Sequence, residues 1–270
     1  MNQTDRQAAI IKQLDSAGAC SYQDLAALFG VSEMTIRRDA DKLVQQRSVI
    51  KTLGGLQTAH APGHLYESAV QQRLPLHRRE KELIAVEAVR QIKPPLTVFL
   101  DGSTTCLVLA RHLCREPPGM TVVTHSGLVC LEFGPAPGHT VLSLGGQFDP
   151  ASACFVGPAA EESARRFFVD IAFLSTKGFL PKEGTFESSI ATFRIKQLIA
   201  EQADRVVLLA DHSKFGQRAL CKVLDIEQID EVITDQPPVP ADLAVLQDRG
   251  VDVRIAAEMR PAEEDACHAT

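Results

Sequence analysis

The 270-residue sequence predicts two folds in series: an α+β head built as a winged helix-turn-helix, then an α/β body built on a parallel sheet. Two observations predict the head. Between Tyr22 and Gln45, two short helical apolar periods meet at a glycine turn, and a strand-like VIK with a Gly-Gly pair follows. One observation predicts the body: from Leu96 onward, short continuous apolar runs alternate with helical periods. Such runs are what strands covered on both faces require.

The head begins with a helix over Asp5–Ala17, capped by Thr4, burying Ala9, Ile10, Leu14 and Ala17 and ending at Gly18. It supplies the third wall that a two-helix unit needs. Ser21 is placed to cap the next helix through its hydroxyl. Apolar residues recur there at Leu25, Ala26, Leu28 and Phe29, and Gly30 suits the left-handed position that closes a helix. Ser32 caps a second helix that buries Ile36, Ala40, Leu43 and Val44. Two helices joined by a tight Gly turn form a helix-turn-helix. Ser48 to Gly55 reads as a wing, with Val49 and Ile50 anchoring it and Gly54-Gly55 reversing the chain.

The second helix leaves Ser32, Thr35, Arg37, Arg38 and Lys42 on its free face, with Lys51 on the wing. Arg grips guanine edges bidentately, while Thr, Ser and Lys meet bases or phosphates. The cap, turn, basic face and wing agree with one another, which predicts a unit that reads double-stranded DNA.

Charge divides along the same line. The first 60 residues carry seven Lys/Arg against six Asp/Glu, a net +1; the other 210 carry 21 against 28, a net −7. An acidic body repels DNA, so contact is confined to the head. No apolar run reaches the roughly 18 residues of a membrane span, and the N-terminus lacks an apolar signal core. The seven Cys include no CxxC pair and scatter through apolar segments, the usage of a reduced, cytoplasmic protein. Domain limits are expected at 1–57 for the head, 58–78 for a linker, 79–260 for the body and 261–270 for a polar tail. Within the linker, Glu67 to Arg79 reads as irregular chain.

The body opens on a helix over Arg79–Ile92 with Leu83, Ile84, Ala88, Val89 and Ile92 inward. Strands are expected at 96–100, 120–124, 140–144, 170–176, 205–211 and 231–235, with VDVRIA closing the series. Helices are expected through Leu113, over Ser189–Ala203 and near Ala241–Arg249. Ligands of such sheets sit beyond the carboxyl ends of the strands. Four polar clusters fall at that edge. Asp101, Gly102, Ser103, Thr104 and Thr105 open a helix, where exposed N–H groups suit a phosphate. Gly145 and Gly146 allow a backbone to come close to a ligand. Lys177 and Lys214 can counter a phosphate charge. Asp101, Glu187 and Asp211 can accept hydrogen bonds from sugar hydroxyls.

Catalytic and metal readings find no support in motifs: GxSxG, P-loop and HExxH patterns are absent. Cys106, His112 and Cys114 lack the spacing of a tetrahedral metal set, and Cys130 and Cys154 read as buried small apolar residues. No catalytic residue, metal or cofactor is expected. The rival function is a sugar-phosphate isomerase with an accessory head, in which Glu187 or Asp211 is the general base.

Leu25-Ala26 through Phe29-Gly30-Val31-Ser32, then Thr35-Ile36-Arg37-Arg38-Asp39, resemble the head signature of the DeoR-type repressors of bacterial sugar metabolism. Lys51 to Gly55 resembles that family's wing end. Arg73, Lys81, Ile84-Ala85, Asp101 to Thr105, Gly145-Gly146, Gly157 and Asp211 to Gly216 resemble its body motifs, so the likeness covers nearly the whole chain. The resemblance implies a winged-helix head and a body related to ribose-phosphate isomerases and CoA transferases. It implies a phosphorylated sugar as effector and a homo-oligomer, dimer or tetramer, on repeated or palindromic operator half-sites. Two departures stand out: Lys51 and Leu53 replace the Arg and His usual before the paired Gly, and His125 replaces Asn after Thr124.

Overall fold

The computed structural model describes residues 2–17, 19–45, 48–51, 54–58 and 69–256. The chain divides into two compact units, 1–68 and 69–270. Expectations for Gly18, Leu53, most of the linker (59–68) and the polar tail lie outside the described residues.

In the first unit, α1 (Gln3–Ala17) is followed by β1 (Ala19–Ser21), α2 (Tyr22–Phe29), α3 (Glu33–Gln45), β2 (Val49–Lys51) and β3 (Gly55–Thr58). The strands form one antiparallel sheet in the order β1-β3-β2. Ser21 caps α2, accepting the Asp24 N–H at 3.0 Å, and Gly30 closes the helix at φ 64°. Ser32 Oγ accepts the Thr35 N–H at 3.2 Å at the start of α3. Ile10, Leu14, Leu25, Ile36, Leu43 and Leu56 pack the core.

Several expectations change here. Asn2, rather than Thr4, caps α1, accepting the Asp5 N–H at 2.8 Å. Leu28 and Val44 are exposed. On α3 the buried stripe runs Ile36, Asp39, Ala40, Leu43, so Val44 falls past its edge and an aspartate takes a core position. β1 has no signature in the sequence; three residues are too few for a period. Gly55 serves it: a Cβ there meets the Cys20 carbonyl at 2.1 Å, so β1 can lie against β3 only with glycine at that point.

The second unit starts with α4 (Val70–Arg73), α5 (Arg78–Val89), β4 (Thr97–Leu100), α6 (Thr104–Leu113), β5 (Thr121–Thr124), α7 (Gly127–Phe133) and β6 (Thr140–Ser143). It continues through β7 (Gln147–Asp149), β8 (Cys154–Val156), α8 (Pro158–Ala164), β9 (Val169–Ser175), β10 (Gly178–Leu180) and β11 (Gly184–Glu187). It ends with α9 (Ile190–Ala200), β12 (Ala203–Leu209), β13 (Cys221–Lys222), β14 (Glu231–Thr234), α10 (Pro240–Asp248) and β15 (Asp252–Ile255). The segment around residue 70, expected to be irregular, is helical and tied to the body by the Val70 N–H on the Ala151 carbonyl at 2.9 Å. The helix expected to reach Ala203 stops at Ala200, because Ala203 already pairs with Val169.

Seven strands form one parallel sheet in the order β15-β14-β12-β9-β4-β5-β6. Alternation along β4 decides the two cores. Val98 and Leu100 face α5, α6 and α7, while Phe99 faces α8 and α9. The chain runs outward from β4 to the β6 edge, returns to β9 beside β4, and runs outward the other way. The direction therefore reverses between β4 and β9, and loops leaving the carboxyl ends of those strands part to opposite faces. That is the crevice where open α/β sheets take their ligands. A small antiparallel sheet, β10-β11-β13, lies off the same edge; its short strands carry no sequence period.

Candidate functional site

In the head, α3 presents Ser32, Thr35, Arg37, Arg38 and Lys42 away from the Ile36–Leu43 core stripe. Ser32 and Thr35 hydroxyls bond each other at 2.9 Å. The Arg37 guanidinium lies over the Tyr22 ring, 4.1 Å from its centroid, and 3.7 Å from Glu33. Lys42 donates to Gln3 at 2.9 Å, and Lys51 pairs with Asp41. The Lys42–Gln3 and Lys51–Asp41 pairs are exposed, so they contribute little and are exchangeable for phosphate. Beneath this face, buried Asp39 accepts Arg6 at 2.6 Å and Gln3 at 2.8 Å, locking α1 to α3.

In the body, Asp101 is fully buried at the end of β4 and wholly engaged. Its oxygens accept the N–H groups of Ser103 at 2.8 Å and Ser175 at 2.9 Å, and Lys196 Nζ stands 3.0 Å away. Lys196 also holds Glu187 and donates to the Ser175 carbonyl at 2.6 Å. Burial pushes the Asp101 carboxyl up; Lys196 and the N–H donors outweigh it, lowering the pKa to about 2. Burial alone would strip Lys196 of its proton, but the two carboxylates hold its pKa above the usual lysine value. Lys196 was absent from the sequence candidates. It lies on α9 in register with Thr192, Ile195 and Ile199, which are buried or core residues. A lysine in phase with a buried stripe was the available signal.

Asp101 and Glu187, expected to accept hydrogen bonds from sugar hydroxyls, both pair with Lys196 at the carboxyl edge of the sheet. Above them, Ser103 caps α6, accepting the Cys106 N–H at 3.1 Å, with Thr104 and Thr105 in the first turn. Thr105 Oγ1 lies 3.5 Å from Ser175 Oγ. Gly102 packs with no room for a side chain: a Cβ meets Cys154 Sγ at 2.2 Å and His125 Nε2 at 3.1 Å. His125 itself is buried, stacked on Phe99 with centroids 5.8 Å apart. Neither ring nitrogen has a hydrogen-bond partner among the described residues, and burial lowers its pKa to about 4.

A second charged cluster stands at the end of β12, next to β9. Asp211 is buried; Oδ1 accepts the Ser213 N–H at 3.0 Å, while Oδ2 has no hydrogen-bond partner among the described residues and lies 3.7 Å from Lys214 Nζ. Lys81, buried on α5, donates to the carbonyls of Arg73 at 2.8 Å and Leu76 at 2.5 Å, two of an ammonium's three donors. Burial first, then the charge of Lys214, lowers its pKa to about 8. His77 and His212 meet edge-to-face, centroids 5.9 Å apart, and His77 adds to the field on Asp211. His212 also reaches a second carboxylate, its backbone N–H donating to Asp235 at 2.7 Å. Lys81, too, was missed among the sites; it shares the stripe of Ile84, Ala85 and Ala88.

The remaining candidates lie apart. Gly145 and Gly146 follow the edge strand β6, two strands from β4. At Gly146, φ 111°, a Cβ would meet the Val156 carbonyl at 2.7 Å, so glycine there serves the packing against β8, while Gly145, φ 67°, has open space beside it. Lys177 is half-buried between β9 and β10, its N–H on the Phe186 carbonyl at 3.2 Å. Cys106 and Cys154 are buried, and Cys130 is only partly so. Among the described residues no group of three or more His, Cys, Asp or Glu could hold a metal, and no helix is long and apolar enough to cross a membrane.

Residues 76–236 match the model of the DeoR C terminal sensor domain, and residues 6–61 that of the DeoR-like helix-turn-helix domain. The chain belongs to the DeoR family of transcriptional regulators. It is 31% identical to the HTH-type transcriptional regulator YulB of Bacillus subtilis (strain 168), over 92% of this chain and 95% of that one. It is 29% identical to the glycerol-3-phosphate regulon repressor of Escherichia coli (strain K12), over 94% of this chain and all of that one. A solved D-ribose-5-phosphate isomerase in complex with phospho-erythronic acid overlaps 51% of this chain and 54% of its own at a TM-score of 0.40 and 16% identity. As a DeoR-family member, the protein is a DNA-binding regulator with a sensor domain.

Proposed function

We propose that this regulator represses a carbohydrate operon and that a phosphorylated sugar controls its affinity for DNA. The observation that carries the effector reading is the unsaturated cluster at the end of β12. Asp211 Oδ2 lacks a hydrogen-bond partner among the described residues, and Lys81 and Lys214 stand beside it. Two cations suit a phosphate, and a buried bare carboxylate oxygen suits a hydroxyl. Ser103, Thr104 and Thr105 at the α6 N-terminus offer further N–H and hydroxyl donors across the crevice. Free sugars lack the anion this arrangement asks for.

On the DNA side, Arg37 reads a base edge. Arg38, Lys42 and Lys51 take phosphates, and Ser32 and Thr35 fix the entry of α3. The working form is a homo-oligomer in the cytoplasm, with two heads on paired half-sites. The ligand acts by binding the DNA-competent and DNA-incompetent arrangements with different affinity, the only way a ligand shifts such an equilibrium. An isomerase reading asks Glu187 or Asp211 to be a free base, and the pairing of Glu187 with Lys196 argues against the first. The relatives, moreover, are regulators.

Two variants separate the two halves of the proposal. Arg37→Ala weakens operator binding and keeps sugar-phosphate binding. Lys214→Ala keeps operator binding and abolishes the response to the sugar phosphate. A full response from Lys214→Ala removes this cluster from the effector site; unchanged operator affinity in Arg37→Ala removes α3 from the role of reading helix.

A further inference from the structure

Tyr22 is buried to 3% exposure, yet it is not only a core residue. Its ring forms the floor under the Arg37 guanidinium, 4.1 Å from centroid to carbon. Its backbone N–H donates to the Gly54 carbonyl at the wing turn, 3.1 Å away. Lys51, on the wing strand β2, lies within the field of the Arg37 guanidinium. One residue at the start of α2 therefore touches the wing through its backbone and the reading helix through its ring.

The chemistry of the contact matters. A guanidinium stacked on an aromatic ring uses its π face and leaves the N–H donors on its edge available. Those edge donors are what a guanine O6/N7 pair accepts. An unstacked Arg loses rotamer freedom on binding a base; a stacked one has already given up part of it. Glu33 at 3.7 Å approaches Arg37 from the helix side and is half exposed, so it is a weaker restraint.

We infer that Tyr22 is a positioning residue for operator recognition: its ring holds the Arg37 guanidinium in the base-reading orientation and keys that orientation to the wing. The inference rests on the reading of Arg37 given above. It assigns sequence discrimination to a residue that touches no DNA itself.

The test uses the full-length protein and a labelled duplex from the DNA upstream of its own gene, cut to the segment the wild-type protein protects. A scrambled duplex serves as the non-specific probe. Tyr22→Phe keeps the ring and keeps wild-type affinity. Tyr22→Leu loses on the order of 10-fold in specific affinity, with non-specific affinity and the salt dependence unchanged. In an Arg37→Ala background, Tyr22→Leu adds no further loss, because its partner is gone. Should Tyr22→Leu unfold the head, progressively fluorinated phenylalanines at position 22 replace it; they keep the shape and weaken the negative face of the ring. Specific affinity then falls with each added fluorine. A flat fluorine series, or a Tyr22→Leu loss that persists undiminished without Arg37, overturns the inference while leaving Arg37 as a reader. If Arg37→Ala binds like wild type, the reading of Arg37 and this inference fall together.

Discussion

Lys196 of α9 reaches across the carboxyl edge of the sheet to stand 3.0 Å from the Asp101 carboxylate of β4 while also holding Glu187 of β11. The loop after β4 and the consecutive elements β11 and α9 meet on one buried ammonium at the point where the sheet reverses direction. Removing the ammonium leaves two buried carboxylates without a counter-charge. Lys196→Met should therefore cost about 3–5 kcal/mol, the range for breaking a buried ion pair. Chemical denaturation of the body reads it. The triple variant Lys196→Met, Asp101→Asn, Glu187→Gln should recover part of the loss, since it leaves no bare charge. A fully stable single variant would show that the triad bears no stabilising load.

Acid should destabilise the body in two steps. His125 is neutral and buried, with its pKa lowered from 6.5 to about 4. The unfolded chain binds a proton below pH 6.5 and the folded chain does not until about 4, so stability falls as pH drops through that window. A difference of this size is worth about 3 kcal/mol. Asp101, lowered from 3.8 to about 2, adds a second loss as pH falls from about 4 to 2. His125→Phe should remove the first slope and leave the second. Unfolding free energies measured from about pH 7 to 2 decide it; an unaltered slope between pH 6.5 and 4 in His125→Phe would place the titrating group elsewhere.

Gly102 has no room for a methyl group because Cys154 Sγ occupies the space at 2.2 Å. Gly102→Ala should push the 101–105 loop aside and cost about 1–3 kcal/mol. Cys154→Ala, which vacates that space, should rescue it. Thermal unfolding of the two single variants and the double variant gives the coupling; additive losses would mean that the clash is relieved in another direction.

Effector affinity should depend on pH through Lys81, whose pKa is lowered to about 8. Below 8 the ammonium is charged and attracts a phosphate; as pH rises through 8 that attraction is lost. A phosphate monoester gains its second charge near pH 6, so affinity should peak between about 6 and 8. Lys81→Met should weaken binding about 10- to 100-fold, the loss of one charge-assisted contact, and flatten the alkaline limb. Calorimetric titration across pH 5.5–9 measures both. An alkaline limb that survives in Lys81→Met would assign it to another group.

Asp39 predicts a fault confined to the head. Its carboxylate, 0% exposed, takes Arg6, Gln3 and Gln7 of α1 onto α3. Asp39→Ala should cost about 2–3 kcal/mol, from losing charged hydrogen bonds at a buried site. DNA binding should fail at a lower temperature while effector binding persists. Equal heat stability of DNA binding in the two proteins would contradict the role.

What was legible in the sequence follows from periodicity. The inner strands of the parallel sheet read as apolar runs because both of their faces are covered, whereas the edge strands β6 and β15 are partly exposed and read more weakly. The head was legible because caps, turn glycine and apolar stripe coincide within two dozen residues. The triad was not, because a lysine in a helix is normally solvated; only the phase of Lys196 with Thr192, Ile195 and Ile199 marks it as buried. Lys81 was hidden the same way. Asp39 displaced Val44 from the core because a polar side chain filled a stripe position that apolar counting assigns to hydrophobes. The β10-β11-β13 sheet escaped because its strands are two to four residues long, too short for a period, and β13 joins β11 from a distant part of the chain.

The most direct measurement of the central claim is fluorescence anisotropy of the upstream DNA bound to the full-length protein. Salt is held fixed, because phosphate contacts make affinity salt-dependent, and sugar phosphates are titrated beside their free sugars. The account predicts that one phosphorylated sugar releases the DNA while its unphosphorylated form does not, and that Lys214→Ala abolishes the release. Specific binding that no sugar phosphate alters, or that a free sugar alters equally well, would contradict it.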